Sequence, residues 1–196
     1  LFGAPPNDLP VGHMVLRRPE LCVLGLLPRD LNLVCYGRKA VDRDNFLARQ
    51  CVNLIEDPRL SIEDFCARIT LQTGAYDAPD AFTELAKQLA AHEESQHDLL
   101  GTVGARGGNR LFYLAVPPAC FGTLCELIDS YARATGGFTR VLIEKPFGRD
   151  TASFRSLHDH TSAHLRADEL YRVDHYLAPA TAARMDQDFA RLANTL

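Results

Sequence analysis

Long apolar runs are missing from this chain. None approaches the roughly 20 residues that a membrane-spanning helix needs, so no membrane insertion is expected. Long runs of one charge are missing too. Lys and Arg number 21 against 25 Asp and Glu, a net charge of −4. A surface that tracks nucleic-acid phosphates is normally basic, so direct nucleic-acid binding is not expected either. The six cysteines (Cys22, Cys35, Cys51, Cys66, Cys120 and Cys125) form no C-x-x-C pair, and no zinc-ligand spacing links them to His. Cys35 sits between Val34 and Tyr36, so these read as reduced, buried thiols of an intracellular protein. No signal or transit pattern marks the amino terminus; Leu1-Phe2-Gly3 reads as the middle of a strand, and residues upstream are expected. What is present is enough apolar material for a core. The 196 residues are 46% hydrophobic and 23% charged, which suits one domain, or one domain and a fragment of another.

Strand and helix patterns alternate along the chain. Leu1–Pro10 reads as a strand end entering a turn, and Met14–Leu24 as a helix closed by Gly25-Leu26-Leu27-Pro28. Leu31–Tyr36 is an apolar strand followed by Gly37-Arg38-Lys39, and Asp42–Glu56 looks helical. Pro79-Asp80 opens a helix with Asp80 as its N-cap and Phe82, Leu85 and Leu89 on one face. His92 to Gly108 is polar and then glycine-rich, a loop pattern, with His92 and His97 in water. Asn109–Pro118 is a central strand stopped by two prolines. Phe121, Leu124, Leu127, Ile128 and Tyr131 recur at helical spacing and predict a core face, ended by Gly136-Gly137. Asp150 is the N-cap of a helix to Leu165 that turns Phe154, Leu157, Thr161 and Leu165 inward. Tyr171–Leu177 is a last strand, and Met185, Phe189 and Leu192 mark a final helix. Such alternation predicts an α/β fold with a doubly wound parallel sheet.

The chemistry gathers around one stretch. Arg140 to Ile143 forms a short buried strand that runs into Glu144-Lys145-Pro146. Lys145 is then a fixed cation at the carboxyl edge of the sheet, where ligands bind in open α/β sheets. His160 and His164 share a helix face at a spacing of four. With His158 they invite a metal reading, but no third ligand stands at a telling spacing, so surface histidines and no metal are expected.

Arg140–Asp150 and Tyr171–Leu177 resemble the glucose-6-phosphate dehydrogenase family, which carries an E-K-P-F-G-x-D block followed by Y-R-I-D-H-Y-L-G-K. Gly25–Pro28, Phe65–Arg68, Gly74–Asp77 and Asn109–Pro118 follow the same family's text. The resemblance implies a Rossmann-like domain over residues 1–177. Residues 178–196 are then a helix beginning the family's large C-terminal α+β domain, which the chain is expected to lack. It also implies roles. Lys145, His175 and Tyr176 fall on substrate-contacting positions beside Asp174, and Gly3, Asp8, Leu9, Arg38 and Lys145 fall on coenzyme positions. Arg38 matches an arginine that meets the 2′-phosphate of NADP, although an arginine after a strand is also read simply as a surface charge.

This chain departs from the family at three places. The glycine-rich loop G-A-S-G-D-L has become Gly3-Ala4-Pro5-Pro6-Asn7-Asp8-Leu9, and proline has no N–H to give a pyrophosphate. The Gly-Lys after D-H-Y-L, a second cation for the sugar phosphate, is Ala178-Pro179. A coenzyme-contacting tyrosine is Phe121. The family's general base, a histidine assisted by aspartate, belongs to the α+β domain, so no catalytic residue is assigned here. The first expectation is therefore a pseudoenzyme without bound cofactor, a structural or interaction subunit of a larger assembly with other protein subunits. The alternatives are the coenzyme-binding half of an active NADP-dependent enzyme, and a non-catalytic NADP or sugar-phosphate sensor. By resemblance the location is cytoplasmic, with an organelle open to a member of an assembly.

Overall fold

The computed structural model describes residues 2–3, 31–51, 61–100 and 108–173. Along these the chain forms β1 (Phe2–Gly3), β2 (Leu33–Gly37), α1 (Arg43–Cys51), α2 (Ile62–Ala67) and β3 (Ile69–Thr73). It continues with α3 (Pro79–Leu100), β4 (Arg110–Ala115), α4 (Phe121–Tyr131), β5 (Thr139–Glu144), α5 (Thr151–His164) and β6 (Leu170–Val173). The strands make one sheet in the order β3-β2-β1-β4-β5-β6, and every neighbouring pair is parallel. The order reverses beside β1, which makes that strand the switch point of a doubly wound sheet.

Alternation along each strand serves both faces. Val34, Tyr36, Phe112, Leu114, Val141 and Ile143 join the main core with Phe82 and Leu85 of α3 and Leu124 and Ile128 of α4. Residues of opposite parity, Leu33, Tyr113 and Leu142, point the other way and are also buried. A parallel sheet covered on both sides needs apolar residues at nearly every position, and these strands have them. Asp150 caps α5 as expected: its carboxylate accepts from the Ser153 N–H at 2.8 Å, and Ser153 Oγ accepts from the Asp150 N–H at 3.1 Å. That pattern is a capping box. It holds the Asp150 carboxyl below its ordinary range, chiefly through the backbone bond from Ser153.

Four expectations need correction. First, His92 to Leu100 is not loop but the last turns of α3. Glutamate, glutamine and leucine, all present in this segment, favour helix, and Glu93 also pairs with Arg110. Arg110, 6% exposed at the start of β4, donates to both Glu93 oxygens at 2.6 and 3.0 Å and to the Ala132 carbonyl at 3.1 Å. His92 is half-buried, 3.5 Å from Thr70 Oγ1, rather than in water. Second, Asp80 is not the N-cap of α3. Pro79 takes the first helical position, leaving Asp80 in the first turn, where its charge still favours the helix dipole. Third, Tyr131, the last residue of α4, is 43% exposed and not part of the core. Fourth, Phe154 is 41% exposed; it lies in the first turn of α5, stacked on His158 with Arg172 over its face.

The strand expected over Tyr171–Leu177 is described as Leu170–Val173. Its remainder, the Met14–Leu24 helix and the helix of Met185, Phe189 and Leu192 lie outside the described residues. The expected Asp42–Glu56 helix is described as Arg43–Cys51, with Asp42 Oδ1 accepting the Asn45 N–H at 2.9 Å. Strand β3 and helix α2 are not read from the sequence, where Phe65–Arg68 and Gly74–Asp77 stand out only through resemblance. Cys125 is buried and Cys35, Cys66 and Cys120 are half-buried; all four are free thiols. Burial pushes the Cys125 thiol up to about 12.

Candidate functional site at the carboxyl edge of the sheet

Register sets which residues meet at this edge. Phe2 stands opposite Tyr36 and Leu114, and Gly3 opposite Ala115. Gly37 stands opposite Thr73, and Glu144 opposite Val173. One row therefore contains the carboxyl ends of β1 to β5 and the last described residue of β6. Arg38 follows that row on one side of Gly3, and Lys145 follows it on the other. β2 and β5 are three strand spacings apart, about 14 Å at ~4.8 Å each. Two cations are thus mounted on either side of the switch point, with the end of β1 between them.

The corner that carries Arg38 is built by aromatic packing. The Arg38 guanidinium lies over the Tyr76 ring, 5.3 Å from its centroid, a cation–π arrangement. Tyr76 is buried and is tilted against Tyr36 at 6.2 Å. The Tyr36 hydroxyl donates to the Ala75 carbonyl at 2.9 Å, and the Gly74 N–H donates to the Gly37 carbonyl at 3.0 Å. A side chain at Gly74 would collide with the Tyr36 hydroxyl and with Ala81. Burial raises both phenols, Tyr36 to about 12, and the Arg38 charge only partly offsets the rise at Tyr76. The Gly74-x-Tyr76 spacing thus places a neutral ring under a guanidinium. The guanidinium itself is exposed, with a planar fork that suits phosphate oxygens. A Cβ at Gly37 would meet nothing nearer than the Lys39 carbonyl at 4.0 Å, so the backbone here is open to a close ligand.

The other corner is braced from below. Tyr113, in β4, donates its hydroxyl to the Glu144 carboxylate at the end of β5. Burial, then the Glu144 charge and this bond, push the Tyr113 phenol far above its ordinary range. Lys145 follows with an exposed side chain, and its peptide bond to Pro146 is cis. Gly148, at φ 149°, turns the chain into α5, and a Cβ there would strike the Phe154 backbone. Phe121, where a coenzyme-contacting tyrosine was expected by resemblance, is 1% exposed in the core at the start of α4.

A family model described as the NAD binding domain of glucose-6-phosphate dehydrogenase matches residues 18–183. The chain belongs to the glucose-6-phosphate dehydrogenase family. It is 34% identical over 155 residues to a glucose-6-phosphate 1-dehydrogenase of Emericella nidulans, covering 77% of this chain and 28% of that protein. It is 35% identical over 158 residues to one of Takifugu rubripes, covering 78% and 27%. A solved glucose-6-phosphate dehydrogenase in complex with its substrate glucose-6-phosphate has the same fold. Its TM-score is 0.64 at 24% identity, over 90% of this chain and 36% of that one. The Mycobacterium avium enzyme gives a TM-score of 0.59 at 23% identity, over 84% and 32%. The chain therefore spans little more than a quarter of the first of these relatives.

Of the residues singled out from sequence, Gly3 ends β1, and Arg38 and Lys145 follow the ends of β2 and β5. Asp8, Leu9, His175 and Tyr176 lie outside the described residues. Sequence reasoning missed Tyr76 as the seat of Arg38 and Tyr113 as the partner of Glu144. Tyr76 was visible only as a letter in a family motif. Tyr113 pairs across a strand register that no local spacing reveals.

Proposed function

We propose that this chain is a coenzyme domain that binds NADP along the carboxyl edge of its sheet. Arg38 takes the 2′-phosphate, and Lys145 lies toward the nicotinamide and sugar end. One observation supports this reading: two exposed cations follow strand ends on opposite sides of the switch-point strand, Arg38 over the buried Tyr76 ring and Lys145 next to the Glu144 that Tyr113 bonds. Membership of the family supports it. Hydride exchange with glucose 6-phosphate is the whole family's chemistry and enters here as part of the proposal, with the general base supplied by residues other than those described. A cytoplasmic location belongs to the same reading, in keeping with a Solanum tuberosum relative named a cytoplasmic isoform.

A second reading rests on Pro5-Pro6 in the phosphate loop and Ala178-Pro179 after the Tyr171–Leu177 block. Both remove groups that would hold phosphates, and they favour a pseudoenzyme acting as a subunit among other proteins. Titration of the purified chain with NADP and NAD, followed by a turnover assay on glucose 6-phosphate, separates the two. The first reading expects saturable NADP binding that Arg38→Ala weakens by about 10- to 100-fold, the loss of a charge-assisted hydrogen bond, with little change for NAD. No binding of either nucleotide at millimolar concentration would refute it and leave the pseudoenzyme.

A further inference from the structure

Helices α4 and α5 pack side by side, and one of their points of contact is at Gly122. A Cβ at that position would collide with the Nδ1 edge of the His160 ring. The imidazole is thus seated on bare backbone, and its other nitrogen, Nε2, is 3.7 Å from Glu126 Oε2. One turn along α5, the His164 ring lies 5.7 Å from His160, centroid to centroid. Its Nδ1 is 3.5 Å from Asp129 Oδ2, and Arg133 holds the other Asp129 oxygen at 2.7 Å. Glu126, His160 and His164 each offer a ligand atom, and these atoms all lie within 4.8 Å of one another.

We propose that Glu126, His160 and His164 form a divalent transition-metal site, one that takes zinc in preference to magnesium or calcium, and that it clips α4 to α5. The donor set is two imidazoles and one carboxylate. Zinc accepts both ligand types, whereas magnesium and calcium prefer all-oxygen surroundings. Donors around a tetrahedral zinc sit at about 2.0–2.1 Å from the ion, so the group must contract. Glu126 and His160 are 51% and 46% exposed and can swing inward, while His164 is the more anchored at 24%. The Asp129 carboxylate beside a ligand histidine supplies the supporting negative charge that metal histidines usually have. Water completes the coordination of so open a site. The site is formed by helix side chains rather than by the strand ends, so it is independent of the coenzyme reading. It also explains why spacing within α5 showed no third ligand: the third ligand comes from α4.

The test uses the full chain, kept reduced and freed of metal, titrated with Zn²⁺ by calorimetry and with Co²⁺ by visible absorption. The expected result is one site of micromolar affinity and a rise in Tm with zinc. His160→Gln and Glu126→Gln each weaken binding at least tenfold, and the double variant His160→Gln/His164→Gln abolishes the Tm rise. These groups are partly exposed, so the variants are expected to fold, and circular dichroism checks that they do. Unchanged zinc affinity in the double variant would overturn the proposal. So would a thiolate-to-cobalt absorption band, which would assign the metal to cysteines, or no binding below millimolar zinc.

Discussion

Replacing Glu169 with Gln removes the charge from the most heavily bonded carboxylate described in the chain. Glu169 is 3% exposed at the start of β6. It accepts from Arg133 at 2.6 and 3.1 Å and from the Arg166 N–H at 2.9 Å, and it pairs with the Arg166 guanidinium at 2.9 Å. Breaking a fully buried pair costs about 3–5 kcal/mol. Here Arg133 keeps Asp129 and is 32% exposed, so water relieves part of the orphaned charge. Gln also keeps one acceptor. The expected loss is about 2 kcal/mol, a fall in Tm of roughly 4–8 °C for a chain of this size. The pH dependence follows from the carboxyl. Burial alone would raise it, but the hydrogen bonds and charges of Arg133 and Arg166 outweigh burial and hold it below its ordinary 4.5. As pH falls the unfolded chain takes up this proton first. The contribution is therefore complete above the unfolded value and disappears as pH drops through the folded one. Urea unfolding of both proteins from neutral to acid pH, followed by circular dichroism, measures it. A difference under about 0.5 kcal/mol at neutral pH, the range of ordinary surface changes, would refute the reasoning. So would a gap that stays constant into acid.

Gly74→Ala is expected to cost about 1–3 kcal/mol by overpacking against the Tyr36 hydroxyl and Ala81. In a Tyr36→Phe background the cost should be smaller, because the hydroxyl that the new methyl meets is gone; equal costs in both backgrounds would show that the collision is relieved elsewhere. Tyr113→Phe should lower stability by about 1–2 kcal/mol, since its hydroxyl bonds a carboxylate in a buried setting. A double-mutant cycle with Glu144→Gln measures the pair directly, and a coupling indistinguishable from zero would mean that the two side chains do not act together.

Much of the fold was legible in the sequence because strands buried on both faces announce themselves. Leu33–Tyr36, Leu111–Ala115 and Val141–Ile143 are continuous apolar runs, and the Asp150–Ser153 cap is readable as a local motif. The polar end of helix α3 looks like loop in the sequence. That polar face exists to meet Arg110, a partner 17 positions away. The same limit applies at the site. Lys145 and Arg38 could be named because each follows a strand, whereas the Tyr76 and Tyr113 braces depend on register and on packing between distant segments. Glu126 escaped notice beside His160 for the same reason: local periodicity carries no information on which helix lies next to which.

The ionic ties described here, Glu93 with Arg110 and Arg133 with Glu169, gather where β4, β5 and β6 begin, while phosphate-binding candidates lie where strands finish. Cohesion and recognition thus occupy opposite rims. A lineage can change an exposed group such as Arg38 without touching either of these ion pairs, so ligand affinity can fade long before foldedness does.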